Sequence, residues 1–398
     1  MVKSRINNIT VLHLIKFLSS LYFYHQIMTL YFQARGLNYI QINSLWGILV
    51  GTQALAEVPT GVIADKIGRK KSIIIALALQ FLGEILFIFA VNYFLFLLVC
   101  IIAGIGFSFS SGCFEAMMYD SLKMEGREND MQKVAGLNGS FALVAIIIGS
   151  FVGGFITSDL QMNSFICVIL ATAFFVFLAL LVSLFLTEPA HEYNHSEDSS
   201  FKLLHDGITV LKTNKSLQRI IILSLLATPF INYLLNFYQP YFVTAGVQGF
   251  WFGIALAIAS LLGVITSKYA YLLEKKLGVQ NGVLIAVLCP GIFYLLISII
   301  SHSLISIVLV ILAFGSMHIQ KPLFLDYINR HIESKNRATI LSLINVLSGF
   351  YVAIMGLLIG WIADIGLNYS FIFMGCIIIT SALLVRINEH HVTINKKE

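Results

Sequence analysis

Residues 61–71 read Gly61-Val62-Ile63-Ala64-Asp65-Lys66-Ile67-Gly68-Arg69-Lys70-Lys71. The run begins inside one apolar stretch, crosses a short basic loop and leads into a second apolar stretch. A carboxylate and four cations gathered where two apolar stretches meet place this loop at a membrane edge. The surrounding chain supports that placement. Of its 398 residues, 58% are hydrophobic and 11% are charged, whereas soluble domains carry about 25% charged residues. A water-soluble globule is excluded, and a polytopic membrane protein is implied.

Twelve apolar stretches long enough to span a bilayer lie near 8–32, 42–64, 72–91, 94–119, 134–157, 163–186, 217–243, 249–273, 282–301, 304–326, 338–363 and 368–386. An even count puts both termini on one side. Of 25 Lys and Arg, all but Arg35 fall on that side, so the positive-inside bias places both termini in the cytoplasm. The first apolar stretch carries His25, Gln26 and several tyrosines and lacks a small-residue cleavage site. It therefore reads as the first membrane helix and not as a cleavable signal. Cys100, Cys113, Cys167, Cys289 and Cys376 sit at irregular spacing within apolar stretches. They make neither a disulfide framework nor a metal set, and they read as small buried hydrophobes.

The longest polar break, 188–216, divides the chain. Within it Phe201, Leu204, Ile208 and Leu211 recur at helical spacing, which reads as an amphipathic helix at the cytoplasmic surface. The expected organisation is a six-helix bundle over 1–187, a cytoplasmic linker over 188–216 and a second six-helix bundle over 217–398. The halves repeat. Tyr31-Phe32-x-x-x-Gly36-Leu37 returns 210 residues later as Tyr241-Phe242-x-x-x-Gly246-Val247. Asn138, Gly149 and Gly153 keep the spacing of Asn345, Gly356 and Gly360, and Asp120 has its counterpart in Asp326. The Gly-x3-Gly pairs are of the kind that lets membrane helices approach closely.

In this duplicated frame, the pattern Gly-x-x-x-Asp-[Arg/Lys]-x-Gly-[Arg/Lys]-[Arg/Lys] between spans two and three resembles the signature loop of the major facilitator superfamily of secondary transporters. The resemblance implies an all-α membrane protein of 12 transmembrane helices, built as two six-helix bundles related by pseudo-two-fold symmetry. Such a protein moves a small organic solute by alternating access, with binding at the repeat interface. Gly149-Ser150-Phe151-Val152-Gly153-Gly154 also looks like the fifth-helix Gly-Pro-x-x-Gly-Gly motif of the 12-helix drug and metabolite efflux members, with Ser150 in place of the proline. Many proton-coupled members carry a basic residue in span four, where this chain has Val99, Cys100, Ile101 and Ile102.

The expected activity is proton-coupled export of an amphipathic compound across the cytoplasmic membrane, driven by the proton gradient without a cofactor or bound metal. The alternatives are a proton-coupled uptake symporter for a sugar or other nutrient, and a non-transporting sensor or scaffold. No nucleophile motif, phosphate loop or nucleic-acid signature is present. The expected form is a monomer in contact with lipid and a small-molecule substrate.

Gln53, Glu57, Gly61 and Asp65 are four apart and form one stripe on span two. Gly61 would permit a close helix contact. By the resemblance, Asp65 would sit at the N-terminal end of span eleven near Arg337, Arg69 would reach Asp120, and Gly68 and Lys70 complete this cytoplasmic latch. Three carboxylates are candidates for proton coupling: Glu57, Glu84 and Glu115. Glu84 lies ~18 Å into span three, near the midplane. A charge there costs about 2.5–3.5 kcal/mol on insertion scales, so Glu84 must be paired, protonated or facing water. Tyr22, Gln26 and Thr29 on span one, and Asn232, Asn236 and Gln239 on span seven, each fall at i, i+4 and i+7. Two such stripes fit a polar cavity, with His25 and His318 as its deep histidines. Pro229, Pro240 and Pro322 are placed to break spans seven and ten.

Overall fold

The structure is a computed structural model that describes residues 7–189, 213–332, 337–388 and 392. The linker positions Phe201, Leu204, Ile208 and Leu211 lie outside the described residues. Apolar stretches with no water to satisfy their backbone must close their hydrogen bonds internally. The described residues accordingly form helices and no strand. The helices are α1 (Asn8–Ser19), α2 (Met28–Ala34), α3 (Tyr39–Ile67), α4 (Arg69–Phe89), α5 (Tyr93–Ser110), α6 (Cys113–Met124), α7 (Met131–Ile156), α8 (Met162–Ser183), α9 (Lys215–Ala227), α10 (Phe230–Thr244), α11 (Phe250–Lys268), α12 (Ala270–Ile299), α13 (Ser303–Met317), α14 (Gln320–Arg330), α15 (Arg337–Ile365) and α16 (Leu367–Leu384).

Among the described residues, eleven helical stretches are each long and apolar enough to cross a membrane. The twelfth crossing, span one, is built from pieces: α1, a non-helical stretch, a short 3-10 turn at His25–Ile27, and α2. This corrects the reading of Tyr22, Gln26 and Thr29 as one stripe on a continuous helix. The physical reason is that Ser20–Tyr24 find partners outside a helical ladder. Tyr22 N donates to Ser20 O at 3.0 Å, and Phe23 N donates to the Thr172 hydroxyl at 3.0 Å. Spans four, seven and ten are interrupted as well. The breaks fall at Gly112, where φ is +72°, at Thr228–Pro229 and at His318–Ile319.

The internal repeat is visible in the backbone. Gly36 and Gly246, and likewise Gly68 and Gly278, pair positive φ values at corresponding places in the two halves. The Tyr31 hydroxyl donates to Phe87 O at 3.0 Å, and its counterpart Tyr241 donates to Ile300 O at 2.6 Å.

The chain forms two compact units. One comprises Met1–Leu37, Ser44–Asn194 and Gly249–Ala257, and the other Asn38–Asn43, His195–Gln248 and Ile258–Glu398. In the first unit, Ile15, Ile73, Met117, Leu122 and Ala179 bring α1, α4, α6 and α8 into one apolar core. A Cβ at Gly149 would lie 2.7 Å from Tyr22 O, and one at Gly153 would overlap Phe23 O. These glycines therefore seat the broken backbone of span one. Gly154 lies against Gly253, within the same unit. In the second unit, Asp364 accepts from Tyr39 N at 2.7 Å and Ile40 N at 3.1 Å, which caps the start of α3. Gly360 leaves room for Ile40 beside it.

Candidate functional site in the first unit

A cavity of about 330 Å³ opens among spans one to four of the first unit. Its walls come from four elements. The turn and α2 supply Tyr22, Tyr24, His25, Met28 and Phe32, and α3 supplies Leu45, Trp46 and Leu49. The remaining walls are Gln80, Gly83, Glu84 and Phe87 of α4, and Val99, Cys100, Ala103 and Phe107 of α5. The lining is mostly aromatic and aliphatic, with one acidic side chain and the polar side chains of His25 and Gln80.

That side chain, Glu84, is 8% exposed. The Tyr24 hydroxyl donates to its Oε1 at 2.9 Å, while Oε2 is buried without a hydrogen-bond partner among the described residues. Tyr24 is placed by ring packing: it stacks on Phe87 with centroids 5.4 Å apart and meets Tyr22 edge-on at 5.8 Å. Tyr22 in turn lies parallel to the His25 ring at 4.8 Å. The break in span one makes the meeting of Tyr22 and Tyr24 possible, because positions two apart on a continuous helix point to opposite sides.

The other sequence-derived candidates fall elsewhere. Gln26 is buried and its Nε2 donates to Phe23 O at 2.5 Å, and Thr29 is also buried. Glu57 is exposed and accepts from Ser111 Oγ at 3.0 Å. Glu115 is exposed in the first turn of α6. In the second unit Asn232 is exposed, Asn236 donates to Asn43 Oδ1 at 3.2 Å, and Gln239 donates to Leu235 O at 3.3 Å. The His318 Nδ1 lies 2.9 Å from Phe314 O, and its ring fills the space a Cβ at Gly263 would need.

At the end of span two, Arg69 Nε donates to Asp120 Oδ2 at 2.9 Å. A third partner completes this cluster. Glu188 accepts from Arg69 N at 2.7 Å with Oε1 and from Lys70 N at 2.8 Å with Oε2. Lys70 Nζ donates to Leu184 O at 2.8 Å. A carboxylate at a helix start satisfies orphan N–H groups and opposes the positive end of the dipole. Gly68 is required here twice over. Its φ is +94°, and a Cβ would lie 2.9 Å from the Glu188 carboxyl carbon. By contrast, a Cβ at Gly61 meets nothing within 4 Å. The expectation that Gly61 serves a close helix contact is thus corrected: the α3 face that carries it is exposed. Asp65 is exposed at the end of α3, and Arg337 opens α15, exposed, in the second unit.

Sequence reasoning assigned Glu188 to the linker. The available signal was a carboxylate two residues beyond the last apolar residue of span six, with an uncapped glycine-started helix elsewhere in the same half. Glu188→Ala should weaken the start of α4 by about 0.5–2 kcal/mol, toward the lower end because the group is exposed. The measurement is thermal unfolding of the purified protein, and an unchanged midpoint would count against the cap.

Twelve crossings in duplicate, with a solute-sized cavity and a buried carboxylate, define a membrane transporter. The chain belongs to the Major Facilitator Superfamily, whose sequence model matches residues 12–352. It is a multi-pass membrane transporter of a small molecule and not an enzyme. It is similar to YxaM, an MFS-type transporter of Bacillus subtilis (strain 168), with 22% identity over 387 residues, covering 94% of each chain. Among solved structures it is similar to the nucleoside transporter NupG, with 15% identity, a TM-score of 0.76 and 96% and 98% of the two chains covered. It is also similar to a bacterial homolog of the human lysosomal transporter Spinster (13%, TM-score 0.75, 98% of each chain). A D-xylose-proton symporter shares the arrangement as well (15%, TM-score 0.67, 95% of each chain). At these identities the likeness is one of fold.

Proposed function

We propose that this transporter exports an amphipathic organic solute across the cytoplasmic membrane in exchange for protons, as a monomer with both termini in the cytoplasm. The reading is carried by Glu84. One of its oxygens is held by Tyr24 and the other is unpartnered in an apolar, aromatic cavity. A carboxylate so placed is stabilised by whatever neutralises it, and a proton and a solute can take turns in that role. Each ligand then biases alternating access through its differential affinity for the two states. The cluster of Asp65, Gly68, Arg69, Lys70, Asp120 and Glu188 gates the cytoplasmic side, with Arg337 as the expected partner of Asp65.

Proton-coupled uptake is the second reading. It is favoured by the buried amides Asn43, Asn236 and Gln239, which suit a hydroxylated solute, and by the fold shared with a D-xylose-proton symporter. The sign of coupling separates the two. In liposomes carrying an imposed pH gradient, exchange drives solute toward the acidic compartment as protons leave it. Symport drives solute into the alkaline compartment together with the protons. We expect accumulation on the acidic side for an amphipathic solute. Accumulation on the alkaline side would establish uptake, and no flux for any solute screened would leave a sensor or scaffold.

A further inference from the structure

We infer that the second unit holds the phosphate headgroup of an anionic phospholipid in a cavity at the α11–α12 turn, with Lys268 and Lys275 as its cations. Nothing in this site depends on the direction or coupling of transport. The cavity has a volume of about 490 Å³. It opens between the last turn of α11, the part of α12 that precedes the kink at Gly278, and α14.

The internal repeat shows how this place departs from its counterpart. With Gly278 set on Gly68, Lys275 falls on Asp65, Val279 on Arg69 and Lys268 on Val58. In the first unit Arg69 holds Asp120. In the second, Val279 has no charge to offer. Asp326, the counterpart of Asp120, is bound instead by Arg330 of its own helix, at 2.5 Å. Arg330 Nη2 also lies 3.5 Å from Glu274 Oε1, and the Tyr327 hydroxyl donates to Glu274 Oε2 at 3.0 Å. Both carboxylates of the cavity therefore find partners within the unit. Its two lysines do not. Lys268 and Lys275 are exposed, and neither makes an ion pair among the described residues. Three cations and two carboxylates leave the cavity one positive charge in excess, which matches one phosphodiester. Lysine binds phosphate as a point charge, and basic pockets between membrane helices take the headgroups of anionic lipids.

Two features favour a lipid over a free anion. The Lys268 ammonium lies over the Tyr269 ring, 5.4 Å from its centroid, and Tyr269 and Tyr271 are both exposed. Tyrosines are enriched where membrane helices meet the headgroup layer. Along α11, Ile258, Leu261 and Ile265 are exposed at i, i+3 and i+7, and Lys268 continues the same face. An apolar stripe that ends in a cation suits an acyl chain and its headgroup. A soluble phosphate would use the cation alone.

The test is native mass spectrometry of the full-length purified protein, titrated separately with phosphatidylglycerol and with phosphatidylcholine of identical acyl chains. The first phosphatidylglycerol should bind several-fold more tightly than the first phosphatidylcholine. A lysine beside anionic lipid is worth about fivefold in affinity. Lys268→Gln and Lys275→Gln should therefore each weaken phosphatidylglycerol binding about fivefold and leave phosphatidylcholine unchanged. Lys276→Gln removes the same charge one residue along, from a side chain that does not line the cavity, and should change neither. Replacing both lining lysines by arginine should keep the preference. Inorganic phosphate in large excess separates the two sources of the anion, and it should not displace the lipid. Equal affinity for the two lipids, unchanged binding in both lining variants, an equal loss in Lys276→Gln, or displacement by phosphate would each overturn the inference. Should a variant fail to fold, the selectivity of the wild type and the phosphate competition still decide.

Discussion

Gly153→Val leaves little folded protein. The Cβ of any side chain at this position would overlap Phe23 O and the Gln26 amide, and neither can retreat. Phe23 O is held by the Gln26 Nε2 donor at 2.5 Å, and Phe23 N is held by Thr172 on α8. Forcing a group into a packed core costs about 1–3 kcal/mol and more where backbone must shift. Here the backbone that would shift also places Tyr24 on Glu84. The check is the monodisperse fraction on size-exclusion chromatography after detergent extraction, which should fall several-fold. Gly61→Ala is the matched comparison. A Cβ there meets nothing within 4 Å, so its folded yield should equal wild type. Equal yields for Gly153→Val would show that the break in span one is not seated as described.

Glu84→Gln abolishes the dependence of solute flux on the pH gradient while the protein remains folded. Glutamine keeps the shape of the side chain and still accepts from the Tyr24 hydroxyl, but it can neither carry a proton nor balance a cation. With no group left there to carry the proton, the part of the flux that follows the gradient should fall to the background of protein-free liposomes. Stability should move the other way. A charge near the midplane costs about 2.5–3.5 kcal/mol on insertion scales, and the amide removes it. A thermal midpoint equal to or above wild type is therefore expected alongside the lost coupling, the pattern of a site that trades stability for function. Liposomes with an imposed gradient supply the measurement. Flux that still follows the gradient would remove Glu84 from the coupling step and return attention to Glu57 and Glu115.

The large features were legible because they are compositional. Apolar length gave twelve crossings, and the paired glycines at 36 and 246 marked the duplication that the backbone repeats. The cavity was legible only in part. Glu84 stood out because a carboxylate in an apolar span has to be accounted for. Its partner Tyr24 did not, because a helical period applied through Ser20–Tyr24 puts the side chains on the wrong faces. Periodicity assumes an unbroken ladder, and Thr172, in a span far along the chain, is what replaces the ladder here. Glu188 escaped for a related reason. Its partners are backbone N–H groups of Arg69 and Lys70, and nothing in side-chain patterning reports where a backbone donor is left over. Gly61 misled in the opposite direction, since small residues permit close approach without requiring it.

The interrupted first span has a consequence for biogenesis. Its kinked stretch depends on a hydroxyl 149 residues downstream, at Thr172, and on Gly149 and Gly153 of α7, which leave room for the Tyr22 and Phe23 carbonyls. The segment that leaves the ribosome first therefore takes its final form among the last parts of its own half. Until the fifth and sixth helices emerge, two short rods joined by unsatisfied peptide groups must wait at the translocon or be shielded by a chaperone. Nascent chains stalled before Gly149 should leave residues 20–24 open to protease, and chains extended past Ser183 should protect them.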